Sequence, residues 1–492
     1  MFRQLDTADS VRREVAPMIA RKRKSELGQF MTPASVARFM ADMFPPSALQ
    51  TCRLLDAGAG VGSLSCAFLD RWVAGGFDFE TVEVAAYEID GTLREHLRQH
   101  LESYRGVQAQ VIAGDYILAT ANNLLTTRQT TGYTHAILNP PYKKINSQSA
   151  HRLALRAAGI ETVNLYSAFV ALAVAQAAPG GQIVAIIPRS FCNGPYYRPF
   201  RDFILEHAAI RHMHLFESRN KAFKDDEVLQ ENVIIRLERG GQPAPVTITT
   251  STDDRFTDLA THAHPFEQIV FPDDPERFIH VPTSPETSAI ELSSAVRCTL
   301  ADLGIKVSTG PVVDFRLKEH LRDMPQDGAV PLIYPGHLSG ASTLWPVPGL
   351  KKPNAILRNG ETEKWLYPNG FYCAVRRFSS KEEKRRVMAS VVDPSAFGGH
   401  AVLGFENHLN LFHDNRRGLP ELLARGLAVF LNSSAVDESF RRFNGHTQVN
   451  ATDLKLMKYP SRAALIELGQ WAKQQEEITQ EMIDERVGAL MA

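Results

Sequence analysis

Between about Cys52 and Arg236, short apolar runs alternate with stretches of helical periodicity: CRLLDAG, SLSCAFLDRWV, VEVAAYEID, TLREHLRQHL, AQVIAGD, THAILNPPY, LYSAFVALAVAQAA, QIVAIIPRS, RPFRDFILEHA, IRHMHLF and ENVIIRLE. Strand and helix in alternation predict a doubly wound, Rossmann-like α/β domain, its mostly parallel sheet covered on both faces. The last two strands follow one another with no helix between them, which predicts an antiparallel hairpin at one edge.

The pattern changes on either side of this region. Residues 1–50 read as an N-terminal helical segment, 51–240 as the α/β domain, and 241–289, rich in Pro, Thr, Asp and Gly, as a connector with one strand in PVTITTS. Residues 290–460 show short strands such as VPLIYP and FYCAVRRF and one long helix around ELLARGLAVFLNSSAVDESFRRF, a second, mixed domain. A helix through AALIELGQWAKQQEEITQEM, within 461–492, closes the chain.

Composition changes little in this picture. With 492 residues, a net charge of -1 and 22% charged residues, the chain has the make-up of a soluble globular protein, and any surface for nucleic-acid phosphates has to be local. The basic candidates are Arg12, Arg13 and Arg21 to Lys24, the pair Lys351 and Lys352, and the run Lys381, Lys384, Arg385, Arg386. The five cysteines are scattered and never spaced as C-x-x-C, which argues against a disulfide framework and a zinc site and fits a reducing cytoplasm. The longest apolar stretch, around Ala168 to Ala178, is too short to span a bilayer, and no membrane role is expected.

Four sequence features carry chemistry. Asp56-Ala-Gly-Ala-Gly-Val-Gly62 follows a strand and opens a helix, where glycines let a ligand approach the backbone. An acid ahead of them disfavours a phosphate and suits a ligand with a positive amino group, or a water. Glu88 ends the second strand, where a carboxylate accepts from ribose hydroxyls. Asp115, after the third, falls at the same sheet edge and suits an adenine amino group. Asn139-Pro140-Pro141-Tyr142 ends the fourth. Two prolines withhold two N–H donors, so the Asn139 amide oxygen and the Pro140 carbonyl can face one amino group. Accepting two hydrogen bonds from an aromatic amine favours its pyramidal form, whose lone pair is available for attack on a methyl sulfonium, and fixed dipoles suffice for this. Tyr142 is placed to stack on the target base, which has to leave the duplex to be reached.

The ordered set resembles the gamma class of DNA adenine methyltransferases from bacterial restriction-modification systems. It comprises Leu27 to Pro33, Asp56 to Gly62, Tyr87 to Asp90, Gly114-Asp115, Asn139 to Tyr142, Asn164 to Phe169, and Ile187 to Phe191 with Tyr196-Tyr197 beyond, and spans about residues 25 to 237. The resemblance implies a class I S-adenosylmethionine-dependent methyltransferase fold with a mixed C-terminal target-recognition domain. It further implies that Thr32 and Pro33 close over the cofactor, and that Asp56, Gly58, Gly60, Glu88, Asp115 and Asn139 hold it. Phe169 would pack on its adenine, although the residue is equally compatible with plain core. Tyr197, rather than Tyr196, would hold the flipped base opposite Tyr142. The implied partners are double-stranded DNA and a separately encoded restriction endonuclease; no metal is needed. The phrase from Phe443 to Asn450 before Asp453-Leu454 resembles the subgroup whose members partner PstI-like and BsuBI-like endonucleases. It makes His446, Gln448 and Asn450 candidate base readers, beside the alternative of a hydrogen-bonded turn, with Arg376, Arg377 and the run through Arg386 on phosphates. Two further readings stay open: methylation of RNA or of a protein glutamine, and a non-catalytic nucleic-acid-binding module that has kept the fold.

Overall fold

The computed structural model describes residues 4–15, 31–126, 132–216, 231–272, 274–282, 290, 293–339, 342–379, 383–444 and 448–491. The chain divides into two compact units, Met1–Pro285 and Glu286–Ala492.

The first unit is built on a nine-stranded sheet of β1 (Thr51–Ala57), β2 (Thr81–Glu88), β3 (Val107–Ala113), β4 (Tyr133–Leu138), β5 (Ala177–Pro188), β6 (Ala208–Phe216), β7 (Asn232–Arg239), β8 (Val246–Ser251) and β9 (Ala260–His264). Their order across the sheet is β3-β2-β1-β4-β5-β7-β6-β8-β9. The first five strands pair in parallel, and β7 runs antiparallel between β5 and β6. Alternation along each strand shows why both faces are covered. Leu55, Ala136, Leu138, Ile183 and Ala185 enter one core with the helix Leu165–Gln176. Their neighbours Leu54, Ile137, Val184 and Ile186 enter a second core with the helices Ala34–Asp42 and Ser63–Val73. The helix Leu165–Gln176 is apolar nearly all round and buried from Tyr166 to Val174, as a helix packed on several sides must be.

Two expectations need correction here. The hairpin of β6 and β7 is antiparallel, but it is not the edge of the sheet: β8 adds parallel to β6, and β9 adds antiparallel to β8. The stretch 241–289, expected to be a connector, therefore extends the nine-stranded sheet, and Val246, Ile248, Ile269 and Ile279 sit in its core. Its Pro- and Thr-rich composition hides this because β9 alternates between half-buried and exposed positions and carries little apolar signal.

The second unit contains a four-stranded sheet (Lys306–Thr309, Leu409–His413, Tyr372–Arg376, Ala389–Val392) and a five-stranded one (Leu321–Arg322, Ala355–Leu357, Ala329–Ile333, Val402–Phe405, Leu366–Pro368). The helix expected to be long is two, Glu421–Leu431 and Ser434–Phe443, because the Ser433 hydroxyl accepts from the Val436 amide and caps a new start. The closing helix is likewise two, Arg462–Lys473 and Gln480–Met491. Gly426 and Gly469 let Glu421–Leu431 and Arg462–Lys473 meet backbone to backbone: a Cβ on either would stand 1.7 or 1.8 Å from a carbonyl oxygen of the facing helix. No helix among the described residues is long and apolar enough to cross a membrane, and all five cysteines are free thiols.

Candidate active site

β1 and β4 are neighbours in the sheet, although the chain winds from β1 outward through β2 and β3 before returning to β4. At such a switch point the loops after the strands diverge and leave a crevice. A cavity of about 440 Å³ lies there, lined by Gly58, Gly60, Glu88, Asp115, Asn139 and Phe169, with Thr32 also in its wall. The structure thus brings seven of the predicted residues to one cavity.

Gly58 and Gly60 adopt φ of +78° and +58°, a region that side-chain-bearing residues rarely occupy, which is why glycine stands at both. Glu88 is buried and bonded on both oxygens, accepting from the Asp90 amide (2.7 Å) and the Gly60 amide (2.8 Å). It braces the glycine turn from the next strand, and burial raises its pKa. Asp56 is fully buried and does not line the cavity. Its Oδ2 accepts from the Ser65 hydroxyl (2.6 Å) and amide (3.2 Å), fixing the start of the following helix. Its Oδ1 has no hydrogen-bond partner among the described residues, and burial pushes its carboxyl up to about 7.

Asp115 accepts from the Leu118 amide (2.9 Å) and bonds His151 Nε2 (2.7 Å). Burial opposes its charge, but His151 and the backbone amides outweigh it and hold the carboxyl below the usual range. Its hydrogen bond to Asp115 in turn raises the pKa of His151. His151, Lys143 and Lys144 line the cavity and were not among the predicted residues; nothing local in AHRLALRA sets that histidine apart from one on a solvated helix face.

At the tetrapeptide, Asn139 Nδ2 donates to Thr32 Oγ1 (2.9 Å). This turns Nδ2 toward Thr32 and Oδ1 toward the Tyr142 hydroxyl. The Tyr142 hydroxyl lies 3.3 Å from that Oδ1 and 3.2 Å from the Ile186 carbonyl. Both contacts are longer than the roughly 2.8 Å usual for O–H donors. Tyr142 meets Tyr166 edge-on, and neither it nor Pro140 lines the cavity. Phe169 packs at 5.0 Å on Tyr116, with an edge 3.7 Å from where a Cβ on Gly58 would stand. The Tyr197 hydroxyl accepts from Asn164 Nδ2 and its ring stacks obliquely on Tyr166, whereas Tyr196 is 76% exposed; both lie outside the cavity wall. Pro33 precedes the helix Ala34–Asp42 and also stays outside that wall.

The basic candidates divide. Arg12 is buried on Asp9 at 2.7 Å, and Arg386 is buried with its guanidinium on Ser379 and Asn444, so neither faces a phosphate. Lys352 pairs with Asp314 and Arg376 with Glu383 (3.4 Å), and Lys352, Arg376 and Lys384 are exposed. Asn450 caps the helix Ala451–Leu456 in a box with Asp453, and Gln448 accepts from Arg377 (3.3 Å), which is the turn alternative for these two. Residues 21–24, 27–30, Lys381 and His446 lie outside the described residues.

Fold and crevice together define a class I S-adenosylmethionine-dependent methyltransferase architecture. The Eco57I restriction-modification methylase family matches residues 63–223. The chain is 52% identical over its whole length to the Type II methyltransferase M.BsuBI of Bacillus subtilis, covering 99% of that protein. It is 43% identical to M.PstI of Providencia stuartii over 93% of this chain and 91% of that one. The chain belongs to the Type II DNA methyltransferases of restriction-modification systems. Among solved structures, the Type IIL restriction-modification enzyme MmeI, determined in complex with DNA, shares the fold at a TM-score of 0.51 and 11% identity, over 99% of this chain and 73% of that one.

Proposed function

We propose that the chain transfers a methyl group from S-adenosylmethionine to the exocyclic amino group of an adenine flipped out of double-stranded DNA, protecting its site from a separately encoded endonuclease. The observation that carries this reading is the Asn139 carboxamide, held by Thr32 at the wall of a cavity that Glu88 and Asp115 also line. The residues present fit the cofactor. Ser63 Oγ is buried in the cavity wall with no hydrogen-bond partner among the described residues, Asp56 Oδ1 is in the same state behind the glycine turn, and two carboxylates stand at successive strand ends. When bound there, S-adenosylmethionine supplies an electrophilic methyl sulfonium.

Glu88 suits the ribose hydroxyls, Asp115 the adenine amine and Phe169 the adenine face. Asn139 Oδ1 and the Pro140 carbonyl accept from the target amine and draw its lone pair out of conjugation with the ring. The Tyr142 hydroxyl, 3.3 Å from Oδ1, yields it to that amine, and its ring then faces the base, with Tyr197 as the second aromatic. The second unit reads the recognition site, with exposed Arg376 and Lys384 on phosphates. Expression in cells lacking adenine methylation, followed by mapping of modified bases, tests the proposal. A single recurring motif with N6-methyladenine is the expected outcome, and unmodified or cytosine-modified DNA overturns it.

A further inference from the structure

One wall of the cavity comes from the segment between β4 and the helix Leu165–Gln176, with Lys143, Lys144, Ile145, Asn146, Ser149 and His151 lining it. Backbone bonds pin its beginning: the Ile145 amide donates to the Val163 carbonyl and the Leu165 amide to the Lys143 carbonyl, both at 2.8 Å. Its far end is held differently. Ser149 caps the helix Ala150–Ala157, and His151, in that helix's first turn, reaches Asp115 at 2.7 Å. The Asp115 carboxylate is therefore gripped from two elements, by the Leu118 amide of the helix that follows it on Oδ1 and by this inserted wall on Oδ2.

An ionised carboxylate is an acceptor only, with about four lone-pair sites. His151 and the Leu118 and Ile117 amides take part of this capacity, and the carboxylate remains 29% exposed, its residue in the cavity wall. Without its second grip the carboxylate is held only from the side of the following helix and is less restrained about χ2, and in gaining a proton it would present a donor where an acceptor is wanted. The paired shifts of Asp115 and His151 run in the direction that keeps the acid charged.

We propose that His151 is a positioning residue for the cofactor's base: by fixing Asp115 as a charged, correctly turned acceptor, it makes binding depend on the 6-amino group of the purine. This rests on the reading of the cavity as the S-adenosylmethionine site.

Calorimetric titration with two ligands tests it: S-adenosylhomocysteine, and its purine analogue in which hydrogen replaces the 6-amino group. Wild type binds the amino compound at least about tenfold tighter. His151→Ala loses most of that preference, because S-adenosylhomocysteine weakens and the analogue does not, and His151→Gln, which keeps a donor toward Asp115, restores it. If the alanine protein does not fold, His151→Leu takes its place and is expected to lose the preference in the same way. A preference unchanged in the alanine or leucine variant overturns the inference, even if both ligands bind more weakly, since a merely structural role moves both alike. Equal binding of the two ligands by wild type also overturns it. Failure of wild type to bind S-adenosylhomocysteine at all overturns instead the cofactor reading beneath it.

Discussion

Replacing Thr32 by Val is the sharpest probe of the acceptor geometry. The substitution keeps the buried shape and removes the hydroxyl that accepts from Asn139 Nδ2 at 2.9 Å, one of the bonds that orient the carboxamide beside that of the Tyr142 hydroxyl to Oδ1. Once it is gone, and once the Tyr142 hydroxyl has yielded Oδ1 to the target amine, the amide has lost a bond that favours this orientation, and in the flipped one an NH2 confronts the target amine, donor against donor. Leaving a buried donor unmatched costs about 1–3 kcal/mol. If that penalty falls on the productive orientation, the rate constant for transfer drops between about fivefold and about a hundredfold. The assay is single-turnover methylation of duplex DNA with saturating S-adenosylmethionine, alongside calorimetric cofactor affinity, because Thr32 also lines the cavity. Thr32→Ser keeps the acceptor oxygen and should stay within a few-fold of wild type. A valine variant that transfers within twofold of wild type, or a serine variant that falls as far as valine, refutes the reasoning.

Asn139→Ala is expected to retain cofactor binding, measured by calorimetry, and to lose transfer by about a hundredfold or more, as when a fixed dipole is removed from a reacting centre. Gly426→Ala or Gly469→Ala forces a Cβ to within 2 Å of a carbonyl oxygen, which should cost about 3 kcal/mol in urea unfolding, while Gly488→Ala, with nothing within 4 Å, should cost nothing. Burial, with the Arg71 charge adding to it, holds His135 down at about 4, so below about 6.5 the unfolded chain takes up a proton that the folded one refuses. Stability contributed by this neutral histidine is full above about pH 6.5 and falls as the pH drops toward 4, by about 2 kcal/mol at pH 5. Asp56, pushed up to about 7, works the opposite way over the same window. The quantity to follow is therefore the stability gap between wild type and His135→Asn, which should narrow by about 2 kcal/mol between pH 7.5 and 5; a gap independent of pH contradicts the burial argument.

The part of the molecule legible in the sequence is the part specified locally. Strands β1 to β7 announce themselves by apolar runs, and Glu88, Asp115 and Asn139 are legible because a polar residue at or just beyond the carboxyl end of a parallel strand falls at the crevice edge; Asp56, read by the same rule, is buried behind the glycine turn instead. What stayed hidden has two causes. β9 and the break at Asn432-Ser433 carry weak or conflicting local signals, since helical periodicity runs on through a serine that caps a new helix. The Thr32–Asn139 and Asp115–His151 contacts join residues 107 and 36 positions apart, and no window along the chain contains both partners. These two hydrogen bonds act alike: each ties a loop that walls the cavity to a polar group proposed to contact ligand. Such a pocket is not a rigid cup with catalytic groups added, because the bonds that close its walls are the ones that aim its acceptors. Removing the wall-side partner, Thr32 or His151, should therefore loosen a wall and misdirect an acceptor together, so cofactor affinity and transfer rate become coupled through side chains rather than through the sheet.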